Sequence, residues 1–190
     1  MKLLQESPIE FLEPLSKPPE KLYVAEVPGP FGSALISGTS DGVVHVRMNV
    51  SIDRFSEDLR NTVDARIIKD DAPLRSAIEW LRAYFHGEPI TAHVRIQPYM
   101  TTVFTLQVHR ALTRIPHGQT ISYGELATEI DRPRAARAVG SANGRNPVLI
   151  IVPCHRVLAA NGLGGFGAGL DLKRSLLSHE GIRWKNSTDK

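Results

Sequence analysis

Cys154 is the only cysteine of the 190-residue sequence, and His155 follows it at once. A thiol is a weak nucleophile until its proton is removed, and imidazole is the side chain best poised to remove it near neutral pH. A free thiol with a pKa near 8.5 is roughly 3% thiolate at pH 7, so full ionisation gains only about 30-fold. Fast chemistry at Cys154 must therefore draw more from orientation, worth up to ~7–11 kcal/mol, and from stabilising a leaving group. The other reading of a lone thiol is a buried structural Cys. Its setting, Pro153-Cys154-His155-Arg156-Val157 after the apolar run Val148–Val152, favours the chemical one. That run reads as a buried strand ending at Pro153.

The elements that must position this pair lie mostly in the second half. Thr102–Arg114 has the apolar periodicity of a helix, which Pro116 ends. Ser122-Tyr123-Gly124-Glu125 is a capping box, opening a short helix to about Ile130. Pro133 suits the first turn of a basic, Ala-rich helix, Arg134–Ala142, which Asn143-Gly144 stops. Two short helices joined by a tight turn resemble a helix-turn-helix. A Gly-rich loop, Gly162–Gly169, and a terminal helix, Leu170–Glu180, follow Cys154. The loop lacks a following Gly-Lys-Ser or Gly-Lys-Thr and is not a phosphate loop.

The first half is expected to be smaller α+β structure. Leu22–Val27, Ser33–Ser37 and Val43–Met48 read as strands, with Asp41-Gly42 as a hairpin turn, and Leu74–Phe85 as a helix. Residues 1–21, with four prolines, read as an extended arm; 22–100 as the first domain with a linker at about 87–101; and 101–190 as the second domain. Hydrophobic content of 42% with 23% charged residues is ordinary for a globular chain. No run approaches the ~20 apolar residues of a membrane span, and the N-terminus shows no export signal. A single Cys excludes an intrachain disulfide and fits a reducing compartment. Residues 1–91 hold 10 Lys/Arg against 14 Asp/Glu, whereas 92–190 hold 13 against 6. An Arg-rich basic half points to a polyanionic partner.

Five stretches in order carry a resemblance: Ile121-Ser122-Tyr123, Ala135-Ala136-Arg137-Ala138-Val139-Gly140, Asn146-Pro147-Val148, Pro153–Val157 and Leu176–Gly181. Over residues 102–182 the chain closely resembles the O6-alkylguanine-DNA alkyltransferases, the methylated-DNA–protein-cysteine methyltransferases. The first half resembles them more loosely, most visibly at Leu81–Gly87. The resemblance implies an α+β fold. A small ribonuclease-H-like domain precedes a mainly helical domain with a winged helix-turn-helix-like motif.

It also implies repair of O6-alkylguanine, and of O4-alkylthymine, in duplex DNA by a single irreversible transfer to Cys154. His155 would take the thiol proton through a bridging water, Glu180 would orient His155, and Tyr123 would assist the leaving guanine at N3. Asn146 would pin the turns around the site. Arg137 would be the finger that fills the stack after base flipping. Small residues at Ala135, Ala136 and Ala138 would let the helix sit close in the minor groove, with Arg132, Arg134 and Arg145 on phosphates. Val157, Phe166 and Gly167 would line the base pocket. The implied protein is a monomer with no metal, cofactor or membrane partner, cytoplasmic on the nucleoid or, in a eukaryote, nuclear. Phe166 stands where the family often has Tyr, and Gly167 and Ala168 also depart from the pattern, all in the pocket wall. A lesion-flagging relative that binds without transfer would lack the acceptor Cys. A plain helix-turn-helix regulator would leave Cys154, His155 and Glu180 idle, and nothing indicates the acyl pocket of a thiol hydrolase.

Overall fold

The computed structural model of the protein describes residues 7–183. Its first half is a six-stranded mixed sheet. The strands are β1 (Ile9–Phe11), β2 (Lys21–Val27), β3 (Ala34–Gly38), β4 (Val43–Met48), β5 (Arg66–Lys69) and β6 (Val94–Ile96), in the order β1-β6-β4-β3-β2-β5. The meander β2–β3–β4 is antiparallel, with the expected hairpin turn around Asp41-Gly42. The short strands β5, β6 and β1 extend it at both edges in parallel.

Two helices cover the two faces of this sheet. Helix α1 (Ile52–Val63) is capped by Ser51, whose Oγ accepts from Arg54 N at 3.2 Å. Its buried residues Phe55, Leu59 and Val63 recur every four positions and pack on Leu22, Val24, Leu35 and Val44. Helix α2 (Arg75–His86), after a 3₁₀ turn at Ala72–Leu74, lies on the opposite face. The side chains of β2 alternate accordingly, with Leu22 and Val24 on one face and Ala25 and Val27 on the other.

The second half comprises α3 (Val103–Leu112), α4 (Tyr123–Glu129), α5 (Ala136–Gly144) and α6 (Leu170–His179), with a two-strand parallel pair of β7 (Ile121–Ser122) and β8 (Val157–Leu158). The Ser122–Glu125 capping box forms as read from the sequence. Helix α5 starts two residues later than expected and contains Asn143 and Gly144 instead of stopping at them. One apolar cluster runs through both halves, joining Val46, Trp80 and Tyr84 to Val108, Leu112, Val148 and Leu176. The α+β class stands.

Three expectations need correction. The N-terminal segment is not a loose arm: residues 9–11 pair with β6, and Leu12 and Leu15 donate to Ile96 O and Pro98 O. Residues 1–6 of it lie outside the described residues. The stretch 87–101 is not merely a linker, because it contains β6. Finally, Val148–Val152 is a buried tight turn, not a strand. Val152 N returns to Val148 O at 3.0 Å, and Ile150 has a φ of 70°. A β-branched residue in the left-handed region is strained, at a cost on the order of 1–3 kcal/mol.

Candidate active site

That turn is held by one side chain. Asn146 Oδ1 accepts from Val148 N at 2.9 Å, while its Nδ2 donates to Val152 O at 2.7 Å and to Cys154 Sγ at 3.0 Å. Asn146 therefore both closes the turn and touches the Cys154 thiol. Cys154 opens a 3₁₀ turn, Cys154–Arg156, in which thiol, imidazole and guanidinium are all buried. Asn143, on α5, adds a bond from Nδ2 to Cys154 O at 3.3 Å.

Beneath the thiol, Glu180 at the C-cap of α6 is the centre of a buried cluster. Its Oε1 accepts from His155 Nε2 at 2.7 Å, Tyr84 Oη at 2.9 Å and Arg156 Nη2 at 3.0 Å. Its Oε2 accepts from Arg156 Nε at 2.8 Å and Gly118 N at 3.2 Å. Burial alone would raise the Glu180 pKa, but His155 and Arg156 outweigh it and hold the carboxyl well below its usual range. An ionised carboxylate only accepts, so the hydrogen of a neutral His155 sits on Nε2 and its Nδ1 carries the lone pair. Nδ1 is buried and has no partner among the described residues. Burial lowers the His155 pKa against the pull of Glu180, so the imidazole is a neutral base at rest.

The thiol itself is not pre-ionised. Burial pushes Cys154 up to about 11, with Asn146 and Lys173 pulling the other way. At pH 7 the thiolate is then on the order of one molecule in ten thousand. The resting thiol is therefore less ionised than a free one, and attack needs a base to take its proton.

Cys154 opens into a cavity of about 320 Å³, lined by Phe166, Gly167 and Ala168 on one side and Asn143, Gly144 and Asn146 on another. Of the three expected pocket residues, Phe166 and Gly167 are there. Val157 is not: it is fully buried in β8, where its carbonyl accepts from Lys173. Tyr123, on the first turn of α4, stands against the Gly-rich loop, with Oη 3.5 Å from Gly165 O. Gly164 has φ +71°, and a Cβ there would come within 3.1 Å of Tyr123 Oη, so this approach requires glycine. Burial, then the neighbouring Cys154, raise the Tyr123 pKa, so the phenol keeps its proton.

Arg132, Arg134, Arg137 and Ala138 are exposed on and before α5, with Ala135 and Ala136 partly so. None of them enters the Glu180 cluster. The array thus brings Cys154, His155, Glu180 and Asn146 together and leaves Arg137 on the surface above. Sequence reasoning missed Lys173, Arg156 and Tyr84. Lys173 is wholly buried on α6, donating to Val157 O at 2.7 Å and Leu163 O at 2.5 Å, with Gly165 O at 3.5 Å. Burial lowers its pKa to about 8. Arg156 stands in the quoted Pro-Cys-His-Arg-Val string, which was its available signal. Tyr84 lay in the Leu81–Gly87 stretch that carries the looser resemblance, whereas Lys173 carried no signal beyond lying on a helix.

Fold and site together define a class, an α+β protein whose buried Cys154, His155 and Glu180 adjoin a short helix with exposed arginines on and beside it. Residues 103–182 match the model of a family described as the DNA-binding domain of 6-O-methylguanine DNA methyltransferase. The chain is 40% identical over 161 residues to a methylated-DNA–protein-cysteine methyltransferase of Methanosarcina acetivorans, covering 84% of this chain and 99% of the relative. It is 39% identical over 163 residues to that of Mycobacterium tuberculosis, covering 85% and 94%. Among solved structures it resembles M. tuberculosis OGT in complex with DNA, at TM-score 0.69 and 37% identity, covering 84% and 92%. It also resembles the O6-methylguanine-DNA methyltransferase of Pyrococcus kodakaraensis, at TM-score 0.60 and 26% identity, covering 85% and 99%. This chain belongs to the methylated-DNA–protein-cysteine methyltransferase family.

Proposed function

We propose that the protein repairs O6-alkylguanine, and O4-alkylthymine, in duplex DNA by transferring the alkyl group to Cys154. The observation that carries this reading is the buried hydrogen-bonded array that ends on Cys154 and His155 under an open cavity. The Cys154 proton passes to His155 Nδ1, through water as the family resemblance implies. Sulfur attacks the alkyl carbon in line, the carbon–O6 bond breaks and its electron pair leaves with guanine. Tyr123, which holds its proton, hydrogen-bonds guanine N3 as charge develops there. The guanine takes a proton back, and a thioether remains on Cys154. A thioether has no ready hydrolysis, so each molecule acts once.

Glu180 orients His155 and offsets its transient positive charge, while Arg156 neutralises the carboxylate between events. The cavity lies below the surface, so the base must leave the stack, at a cost of a few kcal/mol. Arg137 fills the gap from the minor-groove side, where readout is degenerate, as suits damage in any sequence. The protein works as a monomer on DNA, in the nucleoid or nucleus. Residues 101–190 are the catalytic unit. No helix among the described residues is long and apolar enough to cross a membrane.

The test is intact-protein mass after incubation with excess duplex containing one O6-methylguanine, beside Cys154→Ala. A gain of one methylene equivalent on Cys154, absent in the variant, is the expected result. Tight lesion binding with no mass change would replace transfer with damage flagging.

A further inference from the structure

The catalytic cavity is not built from the second half alone. Arg47, Met48 and Val50, from β4 and the turn after it, line it together with Cys154 and Arg145. Strand β4 reaches this far because it pairs with the active-site turn. Val46 N donates to Pro147 O at 2.9 Å, and Leu149 N to Val46 O at 3.2 Å. Arg47 Nη1 donates to the same Pro147 carbonyl at 3.2 Å.

That bond uses one of the five donors of the guanidinium. Burial lowers the Arg47 pKa, with Asp58 pulling back upward. Yet none of the ion pairs among the described residues includes Arg47, and Asp58 is engaged by Arg54 at 3.5 Å. Arg145, which lines the same cavity, is held by hydroxyls, with Nη1 to Ser141 Oγ at 2.6 Å and Nη2 to Thr105 Oγ1 at 3.4 Å. Half-buried Arg47 and exposed Arg145 therefore line one concave space, and neither is in an ion pair among the described residues. A guanidinium fork matches phosphate oxygens, and a space lined by two of them and by no carboxylate suits an anion. An alkylated guanine is neutral, so the only anions a flipped nucleotide brings are its phosphates.

We infer that Arg47, with Arg145, clamps a backbone phosphate flanking the extrahelical nucleotide, which makes the first half of the chain a DNA-contacting element. This rests on the base-flipping reading above. Arg47 is a binding and positioning residue here, distinct from the group that reacts.

The test compares wild type, Arg47→Gln and Arg47→Lys on two substrates, duplex carrying O6-methylguanine and free O6-methylguanine base. Methyl transfer to Cys154 is followed by mass, and duplex binding is followed against salt. Gln keeps an N–H for Pro147 O but loses the charge. The expected result for Arg47→Gln is a duplex rate lowered roughly tenfold, a free-base rate little changed, and a log–log salt slope shallower by about 0.9. Arg47→Lys should keep the slope and lose severalfold on duplex only. A Gln variant matching wild type in duplex rate and slope overturns the clamp. So do equal losses on both substrates in either variant, which would leave Arg47 as a prop for the Pro147 turn. If Arg47→Gln does not fold, the duplex-to-base ratio of Arg47→Lys decides. Absence of transfer in wild type would instead overturn the alkyl-transfer reading itself.

Discussion

The buried half of the site and its outer face are built on opposite terms. Below the cavity, the Glu180 carboxylate takes five hydrogen bonds from residues as distant in sequence as Tyr84, Gly118 and Arg156. On the outside, Arg132, Arg134 and Arg137 are exposed on and before a short helix. The interior is over-determined because a buried charge without partners costs several kcal/mol. On the proposed reading, the exterior stays unsatisfied because its partner arrives only with DNA. Interior changes should therefore damage stability and transfer alike, on any substrate. Exterior changes should damage only the reaction with duplex.

The hardest strain on that contrast is Glu180→Gln. The variant leaves the Arg156 guanidinium without its carboxylate and turns an amide N–H toward donors. A loss of about 3–5 kcal/mol in unfolding free energy is expected. Transfer to free base and to duplex should both fall, by roughly a hundredfold or more. Denaturant unfolding and single-turnover mass measurements read the two effects, and unchanged stability would break the account of the cluster. Next is Lys173→Met, which strands the carbonyls of Val157 and Leu163 in the wall of the Gly-rich loop. A cost of about 1–3 kcal/mol follows, with transfer slowed roughly tenfold on both substrates through a looser pocket wall. Arg137→Ala should leave the melting temperature and the free-base reaction as they are and slow duplex repair roughly tenfold. Equal losses on both substrates would sink the finger assignment.

How legible each region was follows from the same contrast. The capping box at Ser122–Glu125, helix α3 and the Asp41-Gly42 hairpin are local signals, and they appear where the sequence places them. Helix α1 escaped because its apolar residues, Phe55, Leu59 and Val63, form one narrow stripe in a charged segment. The Ser51 cap and that four-residue spacing were the signal available. Strands β1, β5 and β6 are three or four residues long and exist through pairing with neighbours that sequence alone does not locate.

The run Val148–Val152 misled by composition. An unbroken apolar stretch reads as a buried strand, but Asn146 supplies turn bonds that pure periodicity cannot reveal. At the site, Cys154, His155, Asn146 and Glu180 were legible through the family's motifs, and α5 carried its arginines in plain order. Arg47, Tyr84 and Lys173 were not. Each acts through a contact with a partner or cavity far along the chain, as Tyr84 does with Glu180.

The smallest expected effect on methyl transfer comes from the interior away from the chemistry. His45, on β4, has Nδ1 3.2 Å from Ser37 Oγ, and burial, followed by the charge of Arg47, lowers its pKa to about 4. Its folded pKa lies below the unfolded value of about 6.5, so the unfolded chain takes up the proton first. Stability is then fully present above about pH 6.5 and falls as pH drops toward 4, by up to about 3 kcal/mol from this residue. His109 and His155 are also lowered by burial and act in the same direction, whereas Glu180 adds its loss only below the ordinary carboxylate range. His45→Gln should flatten the stability profile between pH 6.5 and 4 in urea unfolding, with methyl transfer at pH 7.5 little altered. A profile as steep as wild type would assign the acid sensitivity to His109 and the Glu180 cluster. The interior of the sheet domain would then be indifferent to charge, and the contrast between a fully determined inside and an open outside would hold only around Glu180.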